Sequence, residues 1–174
     1  TDDMAESAKR IPSLAKRIKA VENDRLNSTK KLTRDSASRP HAFQQIRQFG
    51  NEVLIVVPQV SSENREYLPV ALMGVGTIIS NKCYALRDAP IMNISLITSR
   101  LHWVWVGTVC VRLEMRFSYS NTLGWNTFPV PLLTEQNKAD LARCAEDILL
   151  AREAHFPATI ADLYDPDNMP DNLR

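Results

Sequence analysis

The stretch Val111-Arg112-Leu113-Glu114-Met115-Arg116-Phe117-Ser118-Tyr119 decides which architecture the rest of the chain supports. Apolar and polar residues alternate along it, which is the period-two pattern of a half-buried β-strand. The odd-numbered residues are therefore predicted to face the core, and the even-numbered residues to form an outer face. On that face Arg112, Glu114 and Arg116 follow one another at about 6–7 Å, the rise of two strand residues. Such a row suits a surface ladder of salt bridges or a contact with a charged partner.

Shorter runs with β-like composition precede this stretch, and glycine and asparagine residues separate several of them. The runs are Val53–Val57, Tyr67–Met73, Thr77–Ile79 and Cys83–Leu86. A small twisted antiparallel sheet or barrel accommodates them. Apolar residues at helical spacing between Pro90 and Gly107 predict a helix packed on that sheet. Within it, Trp103 and Trp105 are predicted to pack in the core and not to stack on bases.

The two ends of the chain have a different pattern. Helical spacing predicts a basic amphipathic helix over residues 10–26, and the polar composition of residues 27–40 predicts a mobile basic loop. After the proline-rich exit at Phe128–Pro131, Thr134 is predicted to cap a helix that ends at Phe156, and a short helix is predicted at 159–164. The chain is therefore predicted to be α+β with three parts, 1–42, 43–131 and 132–174.

Charge is distributed unevenly along the 174 residues, although 21 Lys and Arg nearly balance 20 Asp and Glu. Residues 8–47 contain 11 basic and 3 acidic side chains, whereas residues 132–174 contain 4 basic and 9 acidic ones. Such polarity suggests a phosphate-binding surface at the basic end and an acidic packing element at the other. A solvated basic helix without a partner explains the first half of the pattern equally well.

The composition is that of a globular protein that folds without disulfides. Three cysteines at wide and irregular spacing, Cys83, Cys110 and Cys144, indicate a reducing compartment and therefore the cytoplasm. Since no apolar run reaches the roughly 18 residues of a membrane helix, no membrane partner is expected. The start at Thr1 and the stop at Arg174 suggest a segment of a longer polypeptide.

Motifs for catalysis are missing from this sequence. Gly74-x-Gly76 lacks the third glycine of a dinucleotide site, the three histidines are isolated, and no nucleophile elbow occurs. The aspartates at 165, 167 and 171 suit turns and caps better than a metal loop, so no metal is expected. From the residues alone, the chain is a module with a basic face and one charged strand, without an active site of its own.

Three stretches, Ile11–Leu26, Pro58–Pro69 and Thr98–Pro131, resemble the C-terminal part of MmeI-like restriction–modification enzymes. The motifs are Ser61-Ser62-Glu63 and Tyr119-Ser120-Asn121 with Asn126-x-Phe128-Pro129-x-Pro131, and the similarity covers nearly the whole chain. The resemblance implies a target-recognition module that binds double-stranded DNA beside an adenine-specific methyltransferase domain of the same polypeptide, with or without a fused endonuclease. S-adenosylmethionine would belong to that parent enzyme and not to this segment, which lacks the methyltransferase motifs.

The resemblance also implies which residues read the DNA. Positions like Glu114 and Arg116 form a base-pair-reading couple in the family. Arginine can donate to guanine O6 and N7 while glutamate accepts from cytosine N4, so one couple can read a C·G pair. Ser61, Ser62, Asn64 and Arg65 are expected to form a turn that contacts phosphates or further bases, or that is only hydrogen-bonded internally. Further predicted DNA-binding residues, near the couple or in the basic segment, are Arg100, Arg112, Lys16, Arg17, Lys30, Lys31 and Arg34.

A second reading makes the chain a structural or protein-interaction module. In that reading the acidic helix of residues 132–174 docks on neighbouring methyltransferase or nuclease domains, and the sheet only supports it. DNA binding distinguishes the two readings.

Overall fold

The computed structural model describes residues 2–45 and 47–174, with side chains described from Met4 onward. The chain divides into two compact units, Thr1–Phe49 and Gly50–Arg174. Between residues 2 and 174, none of the described helices combines the length and the apolar character needed to cross a membrane.

The N-terminal unit is helical. It contains α1 (Asp2–Lys9), α2 (Pro12–Leu26) and α3 (Lys31–Asp35), followed by a 3-10 turn at Ser36–Ser38. Pro12 opens α2, where its missing N–H has no helical partner to lose. The predicted helix over residues 10–26 is confirmed.

The prediction of a loop over residues 27–40 is wrong, because α3 and the 3-10 turn lie within it. The guanidinium of Arg25 donates to the carbonyl oxygens of Ser36, Arg39 and Ala42 at 2.8–2.9 Å. One charged side chain thus binds three backbone carbonyl groups. These hydrogen bonds hold residues 36–42 in place, although the segment has almost no apolar residues. Composition alone does not reveal such a contact, since it joins residues 11–17 positions apart.

The second unit contains an antiparallel sheet in which β1 (Leu54–Pro58) lies between β3 (Ala71–Met73) and β4 (Cys83–Arg87). The predicted runs at 53–57 and 83–86 are confirmed as strands, but only the end of the run at 67–73 is one. The predicted strand Thr77–Ile79 is wrong. Gly76, at a φ of +94°, turns the chain there, and its N–H donates to the carbonyl of Gly50 at 2.6 Å.

A second small sheet is formed by β2 (Val60–Ser61), β5 (Arg112–Leu113) and β6 (Arg116–Ser118). β6 lies in the middle and is antiparallel to both neighbours. The two three-stranded sheets do not close into a barrel, so of the two predicted arrangements the open sheet is the one found.

The helix predicted between Pro90 and Gly107 is two helices, α4 (Met92–Thr98) and α5 (Arg100–Val109). Ser99 separates them with a ψ of 147°, and its hydroxyl accepts the N–H of His102 at 3.1 Å. The serine therefore acts as the N-cap of a new helix, a role that side-chain hydroxyls fill well.

The core of this unit joins both sheets to α4, α5 and α6 (Glu135–Glu153). Thr134 caps α6 as predicted, in a capping box with Asn137. Ser95 on α4 donates to the carbonyl of Leu141 on α6 at 2.7 Å, and Ala145 is fully buried between them. The predicted helix at 159–164 is confirmed as α7 (Ile160–Leu163). Buried apolar residues of the core include Ile55, Val57, Leu68, Val70, Ile94, Ile97, Trp103, Val106, Phe117 and Tyr119.

Candidate nucleic-acid interface

The stretch from Val111 to Tyr119 is a hairpin and not the single strand predicted from its alternation. β5 and β6 are joined by the two-residue turn Glu114-Met115, with Leu113 opposite Arg116 and Arg112 opposite Phe117. Opposite residues share a face of a sheet, so this register places an odd-numbered residue beside an even-numbered one. The prediction that all odd-numbered residues face the core is therefore wrong.

Three of the five residues predicted to be buried lie at the surface. The exposed fractions of Val111, Leu113 and Met115 are 70%, 50% and 64%, whereas those of Phe117 and Tyr119 are 9% and 4%. The sequence of the turn explains why this exposure was not predicted. Glu114-Met115 contains none of the glycine, asparagine or aspartate residues that usually mark a two-residue hairpin turn.

Glu114 and Arg116 lie together at the tip of the hairpin. Nη2 of Arg116 and Oε2 of Glu114 are 2.7 Å apart, and the two side chains are 49% and 77% exposed. An exposed pair of this kind contributes only about 0–1 kcal/mol. Breaking this ion pair therefore costs little free energy, so each of the two groups can bind a group of another molecule instead.

Phe117 anchors the hairpin to the core. Its ring meets that of Trp103 edge to face, with centroids 4.9 Å apart, and the guanidinium carbon of Arg112 lies 4.6 Å from its centroid. Gly107 on α5 allows this close approach, since a Cβ there would lie 3.0 Å from Cζ of Phe117. Trp103 is 5% exposed, and Trp105, two residues further along α5, is half-buried with its ring centroid 6.5 Å from that of Phe128, so both pack, as predicted.

Tyr119 is the second anchor. Its N–H donates to the carbonyl of Gln59 at 2.7 Å, and its hydroxyl lies 3.2 Å from Nε2 of His102. His102 is fully buried, and the rings of Trp125 and Phe128 approach it edge to face, at 5.9 and 4.6 Å between centroids. Tyr119, Trp125 and Phe128 thus pack around His102 at the base of the hairpin.

Burial shifts the pKa values of His102 and Tyr119. Removal from water lowers the pKa of His102 to about 4, because the charged imidazolium is disfavoured there. Burial also raises the pKa of Tyr119 well above its ordinary value, with smaller contributions from Cys110 and Tyr84. Both side chains are accordingly neutral near pH 7. Nothing in the spacing of the isolated His102 distinguishes it in the sequence.

The predicted turn at Ser61–Arg65 lies beside the hairpin. Ser61 pairs with Phe117, so the antiparallel chain leaves β2 at the end of the sheet where the Glu114-Met115 turn lies. Ser61 is buried, and its hydroxyl has no hydrogen-bond partner among the described residues. The hydroxyl of Ser62 accepts the N–H of Asn64 at 3.3 Å, and the side chain of Asn64 is exposed.

Arg65 and Arg100 have contacts within the protein. Nη1 of Arg65 donates to the carbonyl of Tyr164 at 2.6 Å, and Nη1 of Arg100 donates to that of Glu66 at 2.8 Å. Trp103 Nε1 also donates to the carbonyl of Arg65 at 2.7 Å. These bonds tie the turn to α5 and to the C-terminal segment. The expected DNA contacts of the two arginines stay predictions.

The remaining predicted DNA-binding residues lie in the N-terminal unit. Their side chains are exposed, and the guanidinium of Arg34 donates to the carbonyls of Ser28 and Thr29 at 2.8 Å. They are Lys16, Arg17, Lys30, Lys31 and Arg34.

Comparisons with known proteins agree with one another. Residues 1–132 match the family model of the MmeI target recognition domain. DNA methyltransferase A of Bacillus subtilis (strain 168) is 40% identical over 169 residues, which are 97% of this chain and 19% of that protein.

A solved structure of the type IIL restriction–modification enzyme MmeI in complex with DNA matches 97% of this chain and 22% of its own, at 36% identity and a TM-score of 0.87. The chain thus spans about a fifth of the length of both relatives. Since the family model covers three quarters of the sequence, the chain belongs to the MmeI target recognition domain family.

Proposed function

We propose that this chain reads the base sequence of double-stranded DNA for a restriction–modification DNA methyltransferase. The observation that carries the proposal is the exposed pair Glu114–Arg116 at the tip of a hairpin whose base is fixed in the core. A rigid support under two exposed charged groups is what a specific contact requires, because the groups need not be ordered on binding.

The chemistry of the pair fits one base pair. In the major groove, guanine presents two acceptors that an arginine can bind together, and cytosine presents an amino donor that a carboxylate accepts. In the free protein Nη2 of Arg116 donates a hydrogen bond to Oε2 of Glu114 at 2.7 Å. A C·G pair offers equivalent partners to both, so neither charge loses its hydrogen bonding when the hairpin enters the groove.

The backbone of Glu114 supports the same conclusion. Its φ of +59° lies in the left-handed region, which residues with a Cβ seldom adopt. Strain of this kind persists only where the surrounding structure holds it, and it is concentrated at functional sites. At this position it turns the chain so that Glu114 and Arg116 project from the same end of the sheet.

Affinity that does not depend on sequence comes, in this proposal, from the exposed basic side chains of the N-terminal unit. Phosphate contacts position a protein on the duplex, whereas base contacts specify the sequence. Arg112 stacks over Phe117, and its Nη1 lies 3.4 Å from the carbonyl oxygen of Met115 in the turn, so its guanidinium is close enough to the tip to take part.

The parent enzyme would use S-adenosylmethionine, but this chain does not fit that cofactor. Its Gly74-Val75-Gly76 segment follows β3 as a turn, and no helix begins between Gly76 and Met92. The strand, glycine turn and helix of a nucleotide site are therefore not assembled there. No step of methyl transfer is assigned to these residues.

The proposed function on DNA supports the cytoplasm as the location of the protein. The three cysteines without disulfide partners support the same location.

A second candidate function, protein interaction, is favoured by the apolar surface of the C-terminal segment. Leu132 is fully exposed, and Leu150 and Phe156 are 63% and 86% exposed. We propose that residues 132–174 contact the methyltransferase domain while residues 43–131 contact DNA. The two functions are compatible within one chain.

Selection from a pool of random duplexes tests the proposal. The protein that carries this chain should enrich one short sequence, and its affinity for that sequence should exceed its affinity for random DNA by at least about 1,000-fold. Equal affinity for all duplexes contradicts sequence reading. A protein that binds no duplex at low salt contradicts DNA binding altogether.

A further inference from the structure

The hairpin exposes large apolar side chains next to its charged pair. Leu113 is 50% exposed and Met115 is 64% exposed, and they alternate with Glu114 and Arg116 along the chain. Single exposed apolar residues are common on proteins. Val111 is exposed as well, so three of the five residues from 111 to 115 are exposed apolar residues.

Folding of the hairpin does not explain these residues. Phe117 and Tyr119 already hold it in the core, through the contacts of their rings with Trp103 and His102. Leu113 pairs with Arg116 across the strands, so its side chain lies on the outer face, with its Cβ about 5 Å from that of Arg116. The apolar side chain of Leu113 therefore faces the same binding partner as Arg116.

We infer that Leu113 and Met115 contact the 5-methyl group of a thymine in a base pair next to the one read by Glu114 and Arg116. This inference rests on the proposed function. Thymine alone presents a methyl group in the major groove, and apolar side chains recognise it there. The ion pair thus reads polar base edges, and the residues on either side of it read an apolar one.

The spacing of the two molecules supports this assignment. Successive base pairs are about 3.4 Å apart along the duplex, and the Cβ atoms of opposed residues in an antiparallel pair are about 4.5–5.5 Å apart. Leu113 lies opposite Arg116, and Met115 follows Glu114 in the turn that joins them. Both side chains are therefore within reach of a base pair one step away from the C·G pair.

Replacing thymine by deoxyuridine tests the contact from the DNA side, since uracil lacks only the methyl group. The protein that carries this chain is titrated with its selected duplex and with duplexes in which one thymine at a time is replaced. We expect about four-fold weaker binding when the replaced thymine is next to the C·G pair, the effect of exposing one methyl group. Replacement elsewhere, away from other apolar contacts, leaves the affinity unchanged.

The protein side uses the double variant Leu113→Ser with Met115→Ser, and Val75→Ser as its matched control. Val75 is 68% exposed and lies in the turn after β3, outside the hairpin. In the double variant the thymine and uracil duplexes should bind equally well, whereas the control should retain the four-fold difference. Circular dichroism checks that all variants are folded, and the uracil duplexes need no variant at all.

Several outcomes overturn the inference. One is a selected sequence with no thymine on either strand beside the C·G pair, and another is binding to the original protein that does not respond to uracil. A four-fold difference that persists in the double variant assigns the methyl contact to other residues. Each of these leaves the proposed function intact, provided that binding depends on sequence. Loss of sequence dependence itself refutes the proposed function instead.

Discussion

Gly107 on α5 and Phe117 on β6 lie so close that a Cβ at position 107 would stand 3.0 Å from Cζ of the phenylalanine ring. The ring cannot retreat freely, because Trp103 meets it edge to face and Arg112 stacks over it. The position of the β5–β6 hairpin therefore depends on a glycine in the neighbouring helix.

Gly107→Ala should destabilise the fold by about 1 kcal/mol. Overpacking of a core costs about 1–3 kcal/mol, and the better helix propensity of alanine returns up to about 1 kcal/mol. Urea unfolding measures the difference. Gly74→Ala is the matched control, since nothing lies within 4 Å of its added Cβ and no loss is expected there. In a Phe117→Leu background, Gly107→Ala should become neutral or stabilising; an unchanged loss there would show that Phe117 is not the cause.

Stability should fall as the pH falls from about 6.5 to about 4, because His102 is neutral in the fold and its pKa is lowered to about 4. In this window the unfolded chain binds the proton and the folded chain does not, so unfolding is favoured. The full contribution is about 3 kcal/mol. It is present above pH 6.5 and lost towards pH 4.

His102→Gln keeps a polar side chain beside Tyr119 but does not titrate in this range. Urea unfolding at pH 7.0, 6.0 and 5.0 should therefore show a smaller loss of stability for this variant than for the original chain. Parallel curves for the two proteins would show that His102 is not the group responsible.

Arg152 should be a strong determinant of stability. It is 8% exposed, it donates from Nη1 to the carbonyl of Val70 at 2.7 Å, and both Nε and Nη2 contact the hydroxyl of Tyr164. Arg152→Leu leaves a buried carbonyl and a buried hydroxyl without partners, at a cost of about 1–3 kcal/mol for each. Thermal unfolding should show a large drop. Arg143→Leu, an exposed arginine on the same helix, should change stability by less than about 0.5 kcal/mol.

Salt should weaken DNA binding steeply if the basic N-terminal unit contacts phosphates. Six contacts give a slope of log affinity against log salt of about −5. Lys30→Ala with Lys31→Ala should reduce that slope by about 2 and weaken binding equally for all sequences. Lys138→Ala, on the acidic C-terminal segment, serves as the control. A slope that both variants share with the original protein would place the phosphate contacts elsewhere.

Sequence predicted much of the fold where local chemistry decides the outcome. The cap at Thr134, the short helix near residues 159–164 and the β-branched strand at Leu54–Pro58 follow from residue type and spacing, which act over a few positions. The break at Ser99 was missed, because the apolar spacing continues across it. The helix at Lys31–Asp35 was also missed, since Arg25 holds that segment through contacts distant in sequence.

The surface position of Glu114 and Arg116 was predictable, but the shape of the backbone that carries them was not. Glu114 and Arg116 were identified by their charge and by family resemblance, and the structure places both at the surface. The alternation around them predicted one straight strand, because a two-residue turn without glycine or asparagine leaves the period-two pattern intact. The exposure of Leu113 and Met115 follows from that turn, so it was not visible in the sequence.

The most direct measurement is the sequence bound, and methylated where the enzyme is active, by the charge-exchanged variant Glu114→Lys with Arg116→Asp. Exchanging Asp140→Lys with Arg143→Asp makes the same change of charges in another exposed pair and is the control. We predict that the first variant changes its preference at one base pair and keeps the rest of the recognised sequence, while the control keeps all of it. An unchanged preference at every position in the first variant would contradict the claim that this hairpin reads DNA.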